Sequence, residues 1–226
     1  ALGLGPIAVH AEELMLPVCL TLSRIYSVPL HIVHVSRRSE IELIRDAKEA
    51  GFPVTCEATP HHLFLSTSDL PRLGTRGDMR PRLATPDDVA ALWDNLESID
   101  IFATDHAPHA SEAKEVPYEE APFGCIGLET AFSVLHSGLV ETGALDLATL
   151  VTRMSTAPAR IAGLVPPALA AGAPADLCVF DPATTWRVAP ETLQSRSSNS
   201  PWLGQELRGR VRLTVAAGRI AWDDLA

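Results

Sequence analysis

Four residues of metal-ligating type, His10, His34, Glu57 and Asp105, each follow or close a short apolar run of the sequence. Their separations are 24, 23 and 48 residues, which correspond to one, one and (with an insertion) two strand–helix units. In parallel α/β folds the carboxyl ends of the strands converge on one mouth. Residues a hundred positions apart in sequence are therefore expected to meet within a few ångströms. Two imidazoles and two carboxylates form a donor set suited to Zn²⁺. A single histidine at a strand end is more often merely hydrogen-bonded, and it is the repetition at four successive strand ends that argues for a shared site.

The run Thr104-Asp105-His106-Ala107-Pro108-His109 is the strongest local signal. A carboxylate leaving a buried strand, with two imidazoles within four residues and a proline stiffening the turn, places a proton acceptor beside hydrogen-bond donors. His31 alternates with His34 in the opposite sense and is expected to face the helices. His61 and His62 follow Pro60 in a loop and are alternative ligands, although strand-end placement favours Glu57. His136 is expected to be structural, and His106 to do no more than support its turn.

The elements that must hold these residues follow from hydrophobic periodicity. Strands are expected at Ile7–His10, Leu30–Val35, Phe52–Cys56 and Ile99–Thr104. Helices are expected at Glu12–Ser27, where Pro17 unsettles the first half, at Ser39–Ala50 with Ser39 as cap and Gly51 as stop, and at Pro86–Ser98. Residues Ser66 to Pro86 read as a polar insertion. Beyond a charged loop, Ser111–Cys125, come helices at Gly127–Ser137, Leu147–Met154 and Ala157–Gly163, and then a Pro/Gly-rich linker. The tail reads as strands at Leu177–Phe180, Val211–Ala216 and Ile220–Trp222, with a tight turn at Gly218-Arg219 and a loop at Asn199–Gly209. The fold class expected is α/β with right-handed crossovers, residues 1–165 forming one unit and 166–226 a small β-rich second layer.

Composition narrows the function further. The chain has 226 residues, 18 Lys+Arg against 28 Asp+Glu, a net charge of −10 and 46% apolar residues. Such a chain buries a core rather than staying disordered, and its acidity argues against binding a nucleic-acid backbone. No apolar run approaches the length of a membrane span. The four cysteines are scattered and read as reduced thiols, consistent with a cytoplasmic setting. The first residue is Ala1 rather than Met, so a preceding N-terminal portion is expected.

Taken together, the runs Val9-His10-Ala11-Glu12, His31-Ile32-Val33-His34-Val35-Ser36, Thr55-Cys56-Glu57, Pro60-His61-His62-Leu63, Arg80-Pro81-Arg82-Leu83, Asp105 to His109 and Gly127-Leu128-Glu129-Thr130 resemble the dihydroorotases of the amidohydrolase superfamily. Ala157-Pro158-Ala159-Arg160, Ala175-Asp176-Leu177 and Gly209 to Gly218 are similar to the same family's return to its small β-sandwich. The resemblance covers essentially the whole chain. It implies the C-terminal half of a TIM (β/α)8 barrel followed by a β-sandwich segment. It further implies a binuclear zinc hydrolase that interconverts N-carbamoyl-L-aspartate and L-dihydroorotate, with His10 and His34 holding one metal, Asp105 the other, and Glu57 an additional zinc found in part of the family. Asp105 would be the catalytic acid and base, and Arg80 and His109 would grip the substrate carboxylate. The loop Ser111–Gly127 would close part of the pocket. A homo-oligomer, possible association with an aspartate transcarbamoylase, and no nucleic-acid or membrane partner are implied as well. The family's His-x-His pair and bridging lysine do not occur among these residues, so this chain alone would be inactive. The competing readings are an allantoinase- or hydantoinase-type cyclic amidohydrolase, and an inactive dihydroorotase-like scaffold.

Overall fold

The computed structural model describes residues 5–225. Four short strands, β1 (Ile7–Val9), β2 (Leu30–Ile32), β3 (Val54–Ala58) and β4 (Ile101–Phe102), form a parallel sheet in sequence order. Ile7 pairs with Leu30, Leu30 with Val54, and Glu57 with Ile101. Helices α1 (Met15–Tyr26) and α2 (Arg38–Glu49) cross between the first three strands. Leu30, Ile32, Val54, Cys56 and Ala58 are buried in one core with Leu16 and Leu20 of α1 and Ile41 and Ile44 of α2. Each fully buried aliphatic side chain of this kind contributes roughly 1.5–3 kcal/mol. Because successive side chains alternate, His31, Thr55 and Glu57 occupy the opposite face of the sheet.

Local chemistry explains most element ends. Pro17 lies in the first turn of α1, where an amide has no intrahelical partner to lose, and the helix starts at Met15 rather than Glu12. Ser27 ends α1 in the left-handed region, its amide reaching back to Ser23. Helix α2 starts at Arg38, so Ser39 lies inside it and is not its cap. The carboxylate of Glu40 instead accepts from the amides of Ser36 and Arg37 at 3.0 and 3.1 Å. Gly51 follows α2 at φ +76°, as its position demands.

After β3, Pro60–Phe64 forms α3 and Leu70–Leu73 forms α4, followed by α5 (Pro86–Asp94) and a short 3₁₀ turn, Leu96–Ser98. The insertion between α3 and α5 is less polar in effect than its composition suggests: Leu65, Leu73, Met79 and Leu83 are all buried. Helix α5 has a reciprocal cap, the Thr85 hydroxyl accepting from the Asp88 amide while the Asp88 carboxylate accepts from the Thr85 amide.

Beyond β4 come α6 (Ser111–Lys114), α7 (Ala131–Leu135), α8 (Leu147–Val151) and α9 (Ala157–Ile161). A widened π turn, Thr152–Thr156, links α8 to α9. Pro158, which lacks the amide needed to continue the ordinary ladder, lies two residues beyond it.

The tail is a three-stranded antiparallel sheet of β5 (Leu177–Arg187), β6 (Glu206–Ala216) and β7 (Arg219–Asp223). Strand β5 runs seven residues past its expected end at Phe180, because a register irregularity between Asp181 and Thr185 accommodates Pro182. Strand β6 begins at Glu206, inside the expected loop. The β6–β7 turn is Ala217-Gly218, one residue earlier than expected, with φ of +49° and +75°. Trp186, Val188, Leu193, Trp202 and Leu207 share a second core with Leu65, Met79, Leu83, Ile126 and Val134. The tail is therefore packed into the body around the 66–86 insertion.

Candidate active site

His10 leaves β1 and His34 leaves β2, and their rings meet edge to face with Nδ1 of His10 2.9 Å from Nε2 of His34. The outer nitrogen of His10 lies 2.8 Å from the Glu12 carboxylate, which can only accept. With both rings neutral, His10 donates to Glu12 through Nε2 and its Nδ1 accepts from His34. The buried Nδ1 of neutral His34 is then a bare lone pair with no partner. Burial also holds the His34 pKa below its ordinary value, against the pull of Asp105. A cation shared by the two rings would shift the His34 hydrogen from Nε2 to Nδ1, leaving Nδ1 of His10 and Nε2 of His34 as facing lone pairs.

Asp105 and His34 both have left-handed backbones, with φ of +46° and +40°. Such strain in non-glycine residues costs on the order of 1–3 kcal/mol and gathers at functional sites. It also explains a correction. Strand β2 stops at Ile32, so alternation does not carry from His31 to His34 across the turn. His31 lies on the same sheet face as Glu57, not against the helices. Its Nε2 is 3.0 Å from Glu57 Oε2 and its Nδ1 is 2.8 Å from the Thr55 hydroxyl. The other oxygen of Glu57 faces the His34 amide at 3.4 Å. Glu57 is thus tied to both histidines of this segment.

Asp105 follows β4 as an exposed residue, yet desolvation by the surrounding mouth raises its carboxyl pKa, with His34 and His10 opposing and Glu57 reinforcing. Among the described residues, no group of three or more His, Cys, Asp and Glu side chains is arranged to hold a metal ion. The residue types nevertheless fit one. Two imidazole nitrogens on a tetrahedral zinc stand about 3.3–3.4 Å apart, so the 2.9 Å pair is a few tenths of an ångström from that spacing.

Arg80 and His109 come together on one residue. The guanidinium of Arg80 sits 4.2 Å above the Phe123 ring, and Nε2 of His109 donates to the Phe123 carbonyl at 2.7 Å. The His109 amide faces the Asn199 side-chain oxygen at 3.3 Å, while the Asn199 amide group donates to the carbonyls of Ala107 and Gly124. Gly124 has φ +113°, and a Cβ there would lie 2.4 Å from that of Ala107. The chain must pass this close for the Phe123 segment to reach His109. His106 accepts from the Gly127 amide at 3.1 Å, which supports its turn.

His61 and His62 are buried within α3 rather than in a loop. His62 bonds the Thr59 hydroxyl and donates to the Pro81 carbonyl at 2.9 Å, beside Arg80. Burial lowers its pKa to about 4. His61 lies 3.7 Å from Cys125 Sγ, its pKa is pushed well down by burial, and its Nε2 has no partner. His136 packs on Phe180 and bonds the Arg208 carbonyl, the structural part expected of it. A cavity of about 260 Å³ between α7 and the antiparallel sheet, lined by Phe132, Trp186, Arg210 and Trp222, is remote from this chemistry. The Trp186 indole and the Arg210 guanidinium in it already have partners in the Gly209 carbonyl and the Asp224 carboxylate.

Sequence reading put His31 on the wrong face and missed Phe123, Lys114 and Asn199. His31 had a signal in its position next to Ile32, the pairing partner of Cys56; the other three act through contacts between loops, which leave no periodic trace.

Comparison with known proteins identifies the family of the chain. The Amidohydrolase family model matches residues 17–221. The chain is 42% identical over 223 residues to a dihydroorotase of Caldanaerobacter subterraneus subsp. tengcongensis, covering 98% of this chain and 52% of that protein. It is 43% identical over 227 residues to a dihydroorotase of Anaeromyxobacter dehalogenans, covering 99% and 52%. The chain thus spans about half the length of the curated relatives it matches. Among solved structures, the L-hydantoinase of Arthrobacter aurescens superposes with a TM-score of 0.86 at 30% identity, over 93% of this chain and 48% of that one. With its four-stranded parallel sheet, separate antiparallel sheet and strand-end histidines, the chain belongs to the amidohydrolase family.

Proposed function

We propose that the chain is the C-terminal part of a dihydroorotase, which interconverts N-carbamoyl-L-aspartate and L-dihydroorotate in pyrimidine synthesis. In this reading the parallel sheet is half of a (β/α)8 barrel, residues 1–165 are its share of the barrel unit, and residues 166–226 belong to a β-sandwich. His10, His34 and Asp105 would hold a binuclear zinc centre together with ligands from outside this chain, and Glu57 would hold an additional ion or orient His31 and His34. Zinc bound there supplies Lewis acidity and water of lowered pKa. A cytoplasmic homo-oligomer, with or without an aspartate transcarbamoylase partner, suits such an enzyme.

The chemistry asked of this chain is proton transfer and anion binding. In the hydrolytic direction water adds to the ring amide carbonyl, Asp105 accepts its proton, and the same proton passes to the departing amide nitrogen as the C–N bond breaks. Arg80 offers a planar fork to the substrate carboxylate. His109 has committed its Nε2 hydrogen to Phe123, so it meets a carboxylate favourably only with a second proton on Nδ1. The observation that carries the reading is the meeting of Arg80 and His109 on Phe123, because a neutral hydantoin ring gives the Arg80 guanidinium no anion to bind.

The test is kinetic, in the full-length protein that contains this chain. Asp105→Asn should abolish dihydroorotate turnover, whereas Arg80→Ala should raise KM at least tenfold, the loss of about 1.5–3 kcal/mol expected for a charged hydrogen bond. Near-normal turnover of Asp105→Asn would remove the acid–base role. Equal use of uncharged hydantoins by the parent enzyme would favour the hydantoinase reading.

A further inference from the structure

We propose that Lys114 is the positioning residue of the anion grip, its ammonium clipping the Arg80 segment to the Phe123 segment. This rests on the dihydroorotase reading and adds to it a residue that touches neither substrate nor metal. Lys114 ends α6 and is buried, 7% exposed. Its Nζ donates to the carbonyl of Pro122 at 2.6 Å, of Thr75 at 3.1 Å and of Asp78 at 3.4 Å. The bond is reciprocated, since the Thr75 hydroxyl donates to the Lys114 carbonyl at 2.6 Å. Two of the carbonyls lie on the insertion just before Arg80, and the third belongs to the residue before Phe123. One ammonium therefore fastens both pieces of chain that carry the grip.

Stability alone does not account for a charged group in this place. Among the described residues Lys114 forms no ion pair within 4.0 Å, so it is a buried cation held by neutral carbonyls. Burial lowers its pKa, with the charge of Asp78 opposing. The Asp78 carboxylate is itself buried, with Oδ1 lacking a hydrogen-bond partner. Burying a cation without a paired anion costs more than burying an apolar side chain of the same length. What the ammonium supplies is direction: three donors that close only when three carbonyls from two segments stand in one arrangement. The Gly124 amide, which donates to the same Asp78 carbonyl at 2.9 Å, extends the clip to the residue after Phe123. Arg80 on the Phe123 ring and His109 on the Phe123 carbonyl then inherit that arrangement.

The groups proposed for proton transfer and metal binding stand just after β1 and β2, on β3 and in the turn after β4, outside the clip. Loosening Lys114 should therefore weaken substrate binding and leave chemistry alone. In the full-length, metal-loaded protein, Lys114→Met should raise KM for L-dihydroorotate about tenfold or more with kcat within about twofold, because small misplacements of binding groups are costly. Lys114→Ala should behave alike, and ammonium chloride, but not sodium chloride at equal ionic strength, should recover part of its KM by refilling the carbonyl cage. Thr75→Val, which removes the reciprocal bond and keeps the ammonium, should give a smaller rise. Amide exchange gives a readout independent of turnover: the Gly124 amide should exchange at least tenfold faster in Lys114→Met. Unchanged KM in both Lys114 variants, or a fall in kcat matching the rise in KM, would overturn the proposal. So would unchanged protection of Gly124, even in a protein that proved inactive toward dihydroorotate. Inactivity of the parent enzyme with Gly124 still deprotected by the variant would instead sink the dihydroorotase reading and keep the clip.

Discussion

His62 shows how a residue can matter beside a site without joining its chemistry. Sealed among Thr59, Pro81 and its neighbour His61, it is held neutral by burial, with a pKa of about 4 against an ordinary 6.5. The folded state thus refuses a proton that the unfolded chain accepts. Its contribution is fully present above pH 6.5 and is lost as the pH falls from 6.5 to about 4, amounting to about 3 kcal/mol. Urea denaturation at pH 7 and pH 4.5 should show that loss, and His62→Gln, which can still donate to Pro81, should have a visibly flatter pH dependence. A variant with the same slope as the parent would place the titration elsewhere. At this scale the sequence was partly legible. His10, His34, Glu57 and Asp105 stood out because each falls near the end of an apolar run, and the structure brings the His10 ring to the His34 ring and the Glu57 carboxylate to the His34 amide. His31 was misplaced because parity fails across a turn whose next histidine sits at φ +40°. Lys114 and Asn199 left no mark at all, since their partners lie on irregular segments and, Pro122 apart, 36 or more residues away.

Among the elements, the β6–β7 hairpin carries a strain that a single substitution can relieve. Two-residue turns of this hand require positive φ at both positions, and Ala217 supplies one of them at a steric cost of roughly 1–2 kcal/mol. Its amide is held by the Asp176 carboxylate, which keeps the turn in place despite that cost. Ala217→Gly should therefore stabilise the fold by up to about 1 kcal/mol, part of the gain being returned as backbone entropy. Thermal unfolding would measure it, and a lowered Tm would show that the alanine is not strained. The expected turn at Gly218-Arg219 was displaced by one residue because the sequence marks a turn by its glycine without saying which of its two positions the glycine fills. The start of α5 at Pro86 was legible to the residue, since a proline is tolerated in the first turn, while its Thr85 cap was not read. The length of β5 was not, because a proline argues against a strand unless an irregularity absorbs it.

For the whole molecule, the face of α1 turned away from the sheet is the feature most exposed to consequence. Leu16, Leu20 and Ser23 are buried, but Met15, Val18, Leu22, Ile25 and Tyr26 form an apolar stripe on the other side and remain exposed. Contiguous apolar surface of this kind favours association. The 226-residue chain in isolation should sediment above its monomer mass, and Val18→Glu with Leu22→Lys should return it toward one copy. A monomeric parent chain would show that the stripe is tolerated in water. The parallel sheet and its two flanking crossovers were readable because periodicity of 2 and of 3.6 alternate cleanly up to residue 110. The second core was not readable, since it is assembled from an insertion and a tail that show no common pattern until they touch.

That second core has a practical corollary for anyone handling the polypeptide. Residues 166–174, which connect α9 to β5, are mostly solvent-facing and rich in proline and glycine, an inviting place for a protease. Yet Trp186, Val188, Leu193, Trp202 and Leu207 remain interred on the far side of the cut, wedged against Met79, Leu83 and Val134. A nicked sample should run as two bands on a denaturing gel and as one particle on a sizing column. Severing the backbone there would not release the tail.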